Sequence, residues 1–328
     1  FGVDFGFFNQ RLTGSFDYYY KKTNDILVQT PYIAAMGEGG EPWVNGASMN
    51  NQGVEFTVSF KSDPSSEFQW AVSANIGTYK TELTDLPSNV INKYAGDGVH
   101  DLILGRSPNS AYGLVADGIF KTQEEVDAHA DQPGKAVGRI RYKDLDGDGV
   151  INETYDRTWI GCYDPDFFGG LNFDFAYKGF DLNLFFEGMF GNDVNSDWKK
   201  ESDIWLFTNP AWKNHATRML GGWSPDNPNS DIPAISNNTA NQEQRFSSWF
   251  IEDGSYIKLR NIELGYTFPT KLIQKMHMSN LRLYAAAHNV FTLKKFWGDD
   301  KYTSFDPERP SYHYLTPFTF NFGINVSF

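Results

Sequence analysis

An acidic loop with the sequence DLDGDGVIN begins at Asp144. The carboxylates of Asp144, Asp146 and Asp148 stand at positions 1, 3 and 5 of a calcium-binding loop, and Asn152 stands at position 9. Val150 occupies position 7, where the main-chain carbonyl is the ligand. Oxygen ligands at this spacing surround a hard cation, and the glycines permit the sharp turn. The spacing therefore predicts a Ca²⁺ site.

The closing ligand of this site departs from the pattern. A calcium loop ends with a bidentate Glu at position 12, whereas this chain has Tyr155 there and Asp156 one residue later. Asp156 completes the site only if the loop is distorted, and the alternative interpretation is an Asx-rich turn that binds no ion. The candidate ligands are Asp144, Asp146, Asp148, Val150, Asn152 and Asp156.

Tryptophans in a long loop are the candidates for binding a sugar. Flat apolar rings suit the C–H faces of pyranoses, and the weak candidates of this kind are Trp205, Trp212 and Trp223. Such rings also pack beneath a loop as anchors or lie at a membrane interface. The sequence leaves both roles open and does not identify the residues that contact a ligand.

Catalytic chemistry has no support in the sequence. The six histidines are scattered without metal-ligand spacing, and the chain has no nucleophile elbow, phosphate loop or dinucleotide fingerprint. A net charge of −13 without a Lys and Arg cluster argues against nucleic acid as a partner. We therefore predict that the chain is not an enzyme and requires no cofactor, with Ca²⁺ in the acidic loop as an optional ion.

Nine segments alternate apolar and polar residues with a period of two, which predicts half-buried β-strands. An aromatic content of 16% favours strands as well. The apolar sets of the nine segments are Val3 to Phe7, Phe16 to Tyr20, Val54 to Phe60, Phe68 to Ile76, Leu171 to Tyr177, Phe180 to Phe186, Ile262 to Phe268, Leu281 to Ala287 and Phe318 to Phe328. A helix is predicted only at residues 123–130, inside a long loop.

Short and long connections alternate between these strands. The short ones fall near residues 9, 63, 178 and 269–279, and the long ones cover roughly residues 21–50, 78–166, 191–255 and 292–315. A soluble sandwich has no reason for this asymmetry, whereas outer-membrane barrels have short periplasmic turns and long external loops. The carboxylates on the polar sides of the strands are then predicted to be solvated residues of the lumen.

Membrane residence is compatible with the composition. No run of about 18 apolar residues exists, which excludes a transmembrane helix. A barrel strand shows lipid only its alternate residues, so a mean hydropathy of −0.47 is not an obstacle. The predicted fold is therefore all-β, a transmembrane antiparallel β-barrel with long extracellular loops. Nine strands and a start that reads as the middle of a strand lead us to expect further strands upstream.

Several motifs in order carry a family resemblance. They are GRIRYKDLDGDGVIN from Gly138, then Asp156-Arg157, Ile160-Gly161, Pro165, Gly169-Gly170 and YKGF from Tyr177, followed by DGSYIKLRN from Asp253, Leu283-Tyr284 and NVFT from Asn289. This set resembles the C-terminal barrel half of the SusC-like TonB-dependent transporters of the Bacteroidetes. The family more often has Asn where Asp146 stands, so the departure adds an anionic ligand.

The resemblance implies a bacterial outer-membrane barrel of roughly 22 strands around a plug. Residues 1–328 would be the C-terminal barrel portion, with the plug and the N-terminal strands outside this chain. It also implies a SusD-like surface lipoprotein as partner, energy delivered through TonB by way of the N-terminal part, contact with outer-membrane lipid and lipopolysaccharide, and import of oligosaccharides or peptides. The expectations of a lipoprotein partner, of energy coupling through TonB and of an imported ligand rest on the resemblance alone.

Three functions stay open at this point. The first is glycan import by a SusC-like transporter, with peptide import as its variant. The second is a surface barrel, an adhesin or an enzyme, in which the loops act and the lumen does not. The third, a soluble calcium-dependent carbohydrate-binding sandwich, is disfavoured by the alternation of the strands and the asymmetry of the loops.

Overall fold

A computed structural model describes residues 1–30, 43–91, 94–204, 215–236, 240–294, 303–311 and 314–328. Its fifteen strands are β1 Gly2–Phe7, β2 Leu12–Gln29, β3 Trp43–Lys61, β4 Phe68–Asp85, β5 Ser110–Leu114, β6 Ala116–Ile119, β7 Ile140–Tyr142, β8 Arg157–Cys162, β9 Phe167–Tyr177, β10 Phe180–Phe190, β11 Asp193–Asn195, β12 Ile251–Asp253, β13 Tyr256–Thr267, β14 Asn280–Lys294 and β15 Thr319–Ser327. The α-helices are α1 Gln123–Ala128, α2 Asp197–Lys199 and α3 Thr270–Ile273.

A nine-stranded sheet forms the frame of the molecule. Its order is β1-β2-β3-β4-β9-β10-β13-β14-β15, and every neighbouring pair is antiparallel. Each of the nine predicted alternating segments coincides with one of these strands. The sheet is open, with β1 and β15 at its edges, and corresponds to part of a barrel wall. The predicted fold class is therefore confirmed.

The two faces of the sheet differ in chemistry because successive side chains of a strand point to opposite sides. One face, named here the apolar face, exposes large hydrophobic side chains, among them Phe16, Phe60, Ile76, Leu264, Leu283, Phe320 and Phe322. The opposite face, named the polar face, carries the cross-strand neighbours Asp17 and Glu55, and further along Asp174, Asp181 and Glu263. An apolar face left open in this way is stable when lipid covers it.

The predicted loop boundaries were wrong for several strands. β2 continues to Gln29, β3 already begins at Trp43, β4 reaches Asp85 and β14 reaches Lys294. β2 has 18 residues and β3 has 19. A tilted strand needs only about 9–11 residues to cross a bilayer. Their extra residues continue the hydrogen-bonded ladder at the long-loop end, where no lipid imposes alternation. The sequence pattern therefore ends before the strand does.

The short connection between β9 and β10 shows why the hairpins close as predicted. Lys178 and Gly179 have φ angles of 48° and 87°, which is the backbone of a two-residue hairpin turn whose twist matches the flanking strands. Glycine adopts such a φ without steric cost. Phe180 then pairs with Tyr177, which fixes the register of the hairpin.

The long connections fold into a loop cluster with its own buried cores. One core consists of Leu114, Ile119, Ile140, Tyr142, Ile151, Ile204 and Phe250. Another joins the long-loop ends of β2, β3 and β4 to the connection that follows β4, and it consists of Val28, Ala47, Leu83, Leu86, Val90 and Ile103. α1, predicted from the sequence, is capped by Thr122, whose side chain accepts a hydrogen bond from the Glu125 amide, and it buries Val126. No helix of the described ranges is long and apolar enough to cross a membrane.

Candidate functional site

The acidic loop lies between β7 and β8 at the surface of the loop cluster. Its turn depends on Gly147 and Gly149, which have φ angles of 78° and 85°, a backbone conformation that residues with a side chain rarely adopt. Their amides donate to the two carboxylate oxygens of Asp144 at 2.7 and 2.9 Å. The Ile151 amide donates to the Asp131 carbonyl at 2.9 Å and anchors the loop beside the buried core.

Asp156 closes this loop in spite of its irregular position. Its carboxylate is fully buried and accepts hydrogen bonds from the amides of Leu145 and Asn152 at 2.8 and 2.7 Å. One oxygen each of Asp144, Asp146 and Asp156 lies within 4.8 Å of the others. Two oxygens that bind one Ca²⁺ lie at most about 5 Å apart, so the three carboxylates fit one ion.

The charges of the three carboxylates act on one another. The pKa of Asp144 is lowered: partial burial raises it, but the amides of Gly149 and Gly147 outweigh that effect. The pKa of Asp146 is raised, because burial and the negative charges of Asp148, Asp156 and Asp144 outweigh the hydrogen bond from the Asp148 amide. A bound cation would relieve this repulsion.

The other predicted ligands have different local partners. Asp148 accepts a hydrogen bond from the Val150 amide at 2.8 Å, and it is outside the group of converging carboxylates. The side-chain oxygen of Asn152 accepts hydrogen bonds from the amides of Thr154 and Tyr155 at 2.9 and 3.0 Å. The candidate site is therefore formed by Asp144, Asp146 and Asp156. Asp156 closes it, although it lies one residue beyond the position that the calcium-loop spacing requires.

The polar face of the sheet contains a continuous row of side chains without a carboxylate, ammonium or guanidinium group, named here the neutral row. Cross-strand pairing places its members side by side from β2 to β15, one residue from each strand. They are Thr13, Ser59, Ser73, Asn172, Phe185, Asn261, His288 and Thr319. Within it, the Ser73 hydroxyl donates to the Ser59 hydroxyl at 2.9 Å. Phe185 is its one apolar side chain.

Charged residues border the neutral row on both sides. The adjacent row toward the short turns contains Lys61, Asp174 and Glu263. The adjacent row toward the long loops contains Glu187 and Lys258, which are cross-strand neighbours. The neutral row therefore lies between two rows in which charged and neutral residues are mixed.

A hollow of about 260 Å³ lies over the neutral row, and a second hollow of about 380 Å³ adjoins it on the side of the long loops, where Glu55 and Glu187 line it. They share Thr57, Asn75, Gly170 and Phe185 as lining residues. Gly170 creates the depression, since a Cβ atom there would lie 3.1 Å from the Phe185 ring. The Phe185 ring thus leans over a glycine and leaves a recess that is lined by hydroxyl and amide groups on one side and by Glu55 and Glu187 on the other.

Ion pairs fasten the long-loop end of the polar face. Lys258, whose side chain is 4% exposed, donates to Asp306 at 2.6 Å and also contacts Glu308. Arg260 contacts Glu187 at 2.7 Å and Glu308 as well. These contacts hold residues 303–311 against the sheet, so this part of the last long connection is fixed to the barrel wall.

A cleft of about 570 Å³ opens among the loop elements. Asp193 and Asp253, opposite each other in β11 and β12, line it together with Lys199 and Trp249. Burial lowers the pKa of Lys199 to about 8, in spite of the nearby Glu252 carboxylate. Burial and the charge of Asp253 raise the pKa of Asp193, although the Cys162 amide donates to it. Acidic groups predominate in this cleft.

The structure describes one of the three tryptophans that were predicted as candidates for binding a sugar. Trp223 is half-buried and packs against the core of Ile140 and its neighbours, as a loop anchor does. Trp205 and Trp212 lie outside the described residues. The neutral row was not identified from the sequence, because only the register shows that single residues from eight strands are neighbours.

Comparison with known proteins gives the same family as the sequence motifs. Residues 1–114 match the family model described as TonB dependent receptor-like, beta-barrel. TonB-dependent receptor P3 of Formosa agariphila is 30% identical over all of this chain and 33% of its own length. TonB-dependent receptor SusC of Bacteroides thetaiotaomicron is 26% identical over all of the chain and 31% of its own length. The chain thus spans about a third of the length of these relatives.

Solved structures share the fold. The structure titled as the RagAB peptide transporter superposes with a TM-score of 0.76 at 24% identity, covering all of this chain and 34% of its counterpart. A second RagAB structure, titled as the peptide importer in the closed-closed state, gives a TM-score of 0.74. The resemblance drawn from the sequence motifs is confirmed. The family consists of TonB-dependent receptors rather than enzymes, in agreement with the prediction.

Proposed function

We propose that this chain is part of an outer-membrane importer of neutral oligosaccharides. The proposal starts from the match of the whole chain to TonB-dependent receptors, among them SusC. Residues 1–328 form the C-terminal barrel portion of this importer, and the plug and the remaining strands belong to the rest of the protein. The polar face of the sheet faces the lumen, and the apolar face faces lipid. Long loops at the cell surface receive the ligand.

The neutral row is the observation that supports oligosaccharides as the cargo. Sugars present hydroxyl groups that donate and accept hydrogen bonds, and Ser73, Asn172 and Asn261 carry complementary groups without charge. A bound sugar would share or replace the hydrogen bonds that the amides of Asn172 and Asn261 donate to Asp174 and Asn183. Phe185 adds an apolar ring beside them, which suits the C–H face of a pyranose. A neutral ligand exchanges hydrogen bonds with water and with this row at similar cost, so it passes without being trapped.

The proposed partners follow from the relatives. TonB appears in the family description, and energy coupling through TonB would use the part of the protein outside this chain. A SusD-like lipoprotein would cover the long loops, as the resemblance to SusC implies. The fixed position of residues 303–311 and the packed loop cores give such a lid a stable surface to close on.

Peptide import is the second candidate function. The RagAB structures are titled as a peptide transporter and importer, and the cleft beside Asp193 and Asp253 has more acidic than basic lining residues. Such a cleft would attract the amino groups of a cationic peptide. We therefore test both ligand classes on the same protein.

Isothermal titration of the purified full transporter with its lipoprotein partner separates the two candidates. The probes are neutral maltooligosaccharides, xylooligosaccharides and mannooligosaccharides, and a set of lysine-rich peptides of similar length. Binding of one or more neutral sugars, without binding of the peptides, supports glycan import. Binding of the peptides alone establishes the second function in its place.

We also propose that Asp144, Asp146 and Asp156 bind Ca²⁺. Three converging carboxylates and a loop anchored by main-chain hydrogen bonds support this proposal. The ion would act as a brace for the segment that leads into β8 and the re-entry of the chain at β9.

A further inference from the structure

A slot on the apolar face of the sheet has no role in carrying cargo. Gly169 of β9 and Gly188 of β10 are directly opposite each other, so two neighbouring positions of this face lack a side chain. Ile76 of β4 pairs with Gly169, and Ile257 of β13 pairs with Gly188. The two isoleucines form the sides of the slot.

Aromatic rings close the slot above and below. Phe167 and Phe190 stack at 4.8 Å between ring centroids on the side of the long loops. Phe173 and Phe186 meet edge to face at 6.1 Å on the side of the short turns. The slot encloses about 460 Å³, and the side chains around it on this face are all apolar. A binding partner for this slot must therefore be apolar.

The two glycines have different reasons to be present. A Cβ atom on Gly169 would lie 2.3 Å from the main-chain oxygen of Asn75, so the close approach of β4 and β9 requires glycine there. A Cβ atom on Gly188 would lie 3.1 Å from the Phe190 ring and from the Tyr256 carbonyl oxygen, which small shifts accommodate. Glycine weakens the interior of a strand. Packing within the sheet alone therefore does not account for Gly188.

The position of the slot along the barrel wall indicates which leaflet of the membrane the slot faces. The turn at Lys178 and Gly179 marks the short-turn end, which is periplasmic in outer-membrane barrels. Gly169 is about nine residues away along β9, which is about 30 Å of strand at roughly 3.3 Å per residue and about 23 Å of height at a strand tilt of roughly 40°. The slot therefore opens toward the outer leaflet, just below the long loops.

We propose that this slot binds one acyl chain of an outer-leaflet lipid, namely of lipid A. The slot is continuous with the lipid-facing surface of the sheet, and exposed residues such as Ile76, 49% exposed, lead into it. A second copy of the protein is the competing occupant. The proposal rests on the barrel fold and is independent of the cargo.

Native mass spectrometry of the full transporter in detergent tests this proposal, with purified lipid A as the added probe. Ile76→Trp projects a large ring into the slot. Leu264→Trp is the matched control, because Leu264 is 50% exposed on the same face but lies on β13 toward the short turns. Both substitutions keep an apolar residue on the lipid-facing surface, so neither one disturbs insertion.

We expect Ile76→Trp to weaken lipid A binding at least about tenfold, while Leu264→Trp binds like the unmodified protein. Equal binding by both variants overturns the proposal. Loss of dimers in Ile76→Trp with unchanged lipid A binding also overturns it, and assigns the slot to a second copy. Gly188→Leu, which fills the slot from its floor, should repeat the effect of Ile76→Trp.

Discussion

Arg139 and Glu243, 104 residues apart in the chain, form an ion pair at 2.8 Å inside the loop cluster. Their side chains are 8% and 5% exposed. Glu243 also accepts a hydrogen bond from the Ile140 amide at 2.8 Å. Burial raises the pKa of Glu243, although the Arg139 charge opposes this change. The pair joins two distant segments of the loops into one folded unit.

Replacement of Glu243 by Gln should loosen this unit. Arg139 would remain buried without a counter-charge, which costs about 3 kcal/mol in the local free energy of unfolding. Hydrogen exchange of the peptide that spans β6 and β7 measures the change. Lys80→Gln is the control, since it removes an exposed ion pair with Glu82 and should cost less than about 1 kcal/mol. Equal protection in both variants would contradict a structural role for the buried pair.

The strands were predictable from the sequence, whereas this pair was not. The alternation from Leu171 to Tyr177 is a local pattern that lipid on one side and water on the other impose on each strand. The partners Arg139 and Glu243 depend on the folding of long loops, for which no periodicity exists. For the same reason the pattern did not show that β2 extends to Gln29.

Lys199 should make the stability of the loop cluster depend on pH. Its ordinary pKa is 10.5, and burial lowers the folded-state pKa to about 8. Below pH 8 the lysine is protonated in both states. Between pH 8 and 10.5 the unfolded state holds more protons, so the free energy of unfolding rises with pH, by at most about 1.4 kcal/mol per unit.

Urea unfolding of the loops, followed by tryptophan fluorescence between pH 7 and 10, measures this slope. Lys199→Met should flatten the profile, because methionine has no charge to bury. Lys121→Met, which removes a more exposed lysine paired with Asp231, should leave the slope unchanged. A slope that persists in Lys199→Met would assign the pH dependence to another group.

Calcium should protect the acidic loop from proteolysis. In Asp156→Asn the protection by Ca²⁺ should fall at least about tenfold, since one of three converging carboxylates is lost. Asp148→Asn is the matched control, because Asp148 lies outside this group and should retain most of the protection. Cleavage of the unmodified loop at the same rate with Ca²⁺ and with a chelator would show that it is an Asx-rich turn without an ion.

The acidic loop shows how many ligands of the candidate calcium site can be predicted from residue spacing. The sequence identified the loop, and Asp144 and Asp146 occur in the converging group as the spacing indicated. The closure by Asp156 depends on hydrogen bonds from Leu145 and Asn152, which bend the loop away from the regular geometry. Such main-chain contacts are not visible in a ligand pattern.

The neutral row can be tested by a charge placed within it. Ser73 and Ala71 lie two residues apart on β4, point to the same polar face and are both half-buried. Ser73 belongs to the neutral row, whereas Ala71 lies in the charged row beside Lys61 and Asp174. Ser73→Asp and Ala71→Asp therefore add the same charge at two heights of the lumen.

Uptake of the oligosaccharide bound in titration, measured in cells that produce each full-length variant at equal surface levels, tests the central claim most directly. We predict that Ser73→Asp lowers uptake about tenfold, because a half-buried carboxylate without a neighbouring cation loses hydration when a neutral sugar passes it. Ala71→Asp should stay within about twofold of the unmodified transporter, because the added carboxylate lies opposite Lys61. Equal uptake by both variants, or a larger loss in Ala71→Asp, would contradict contact between the passing sugar and the neutral row.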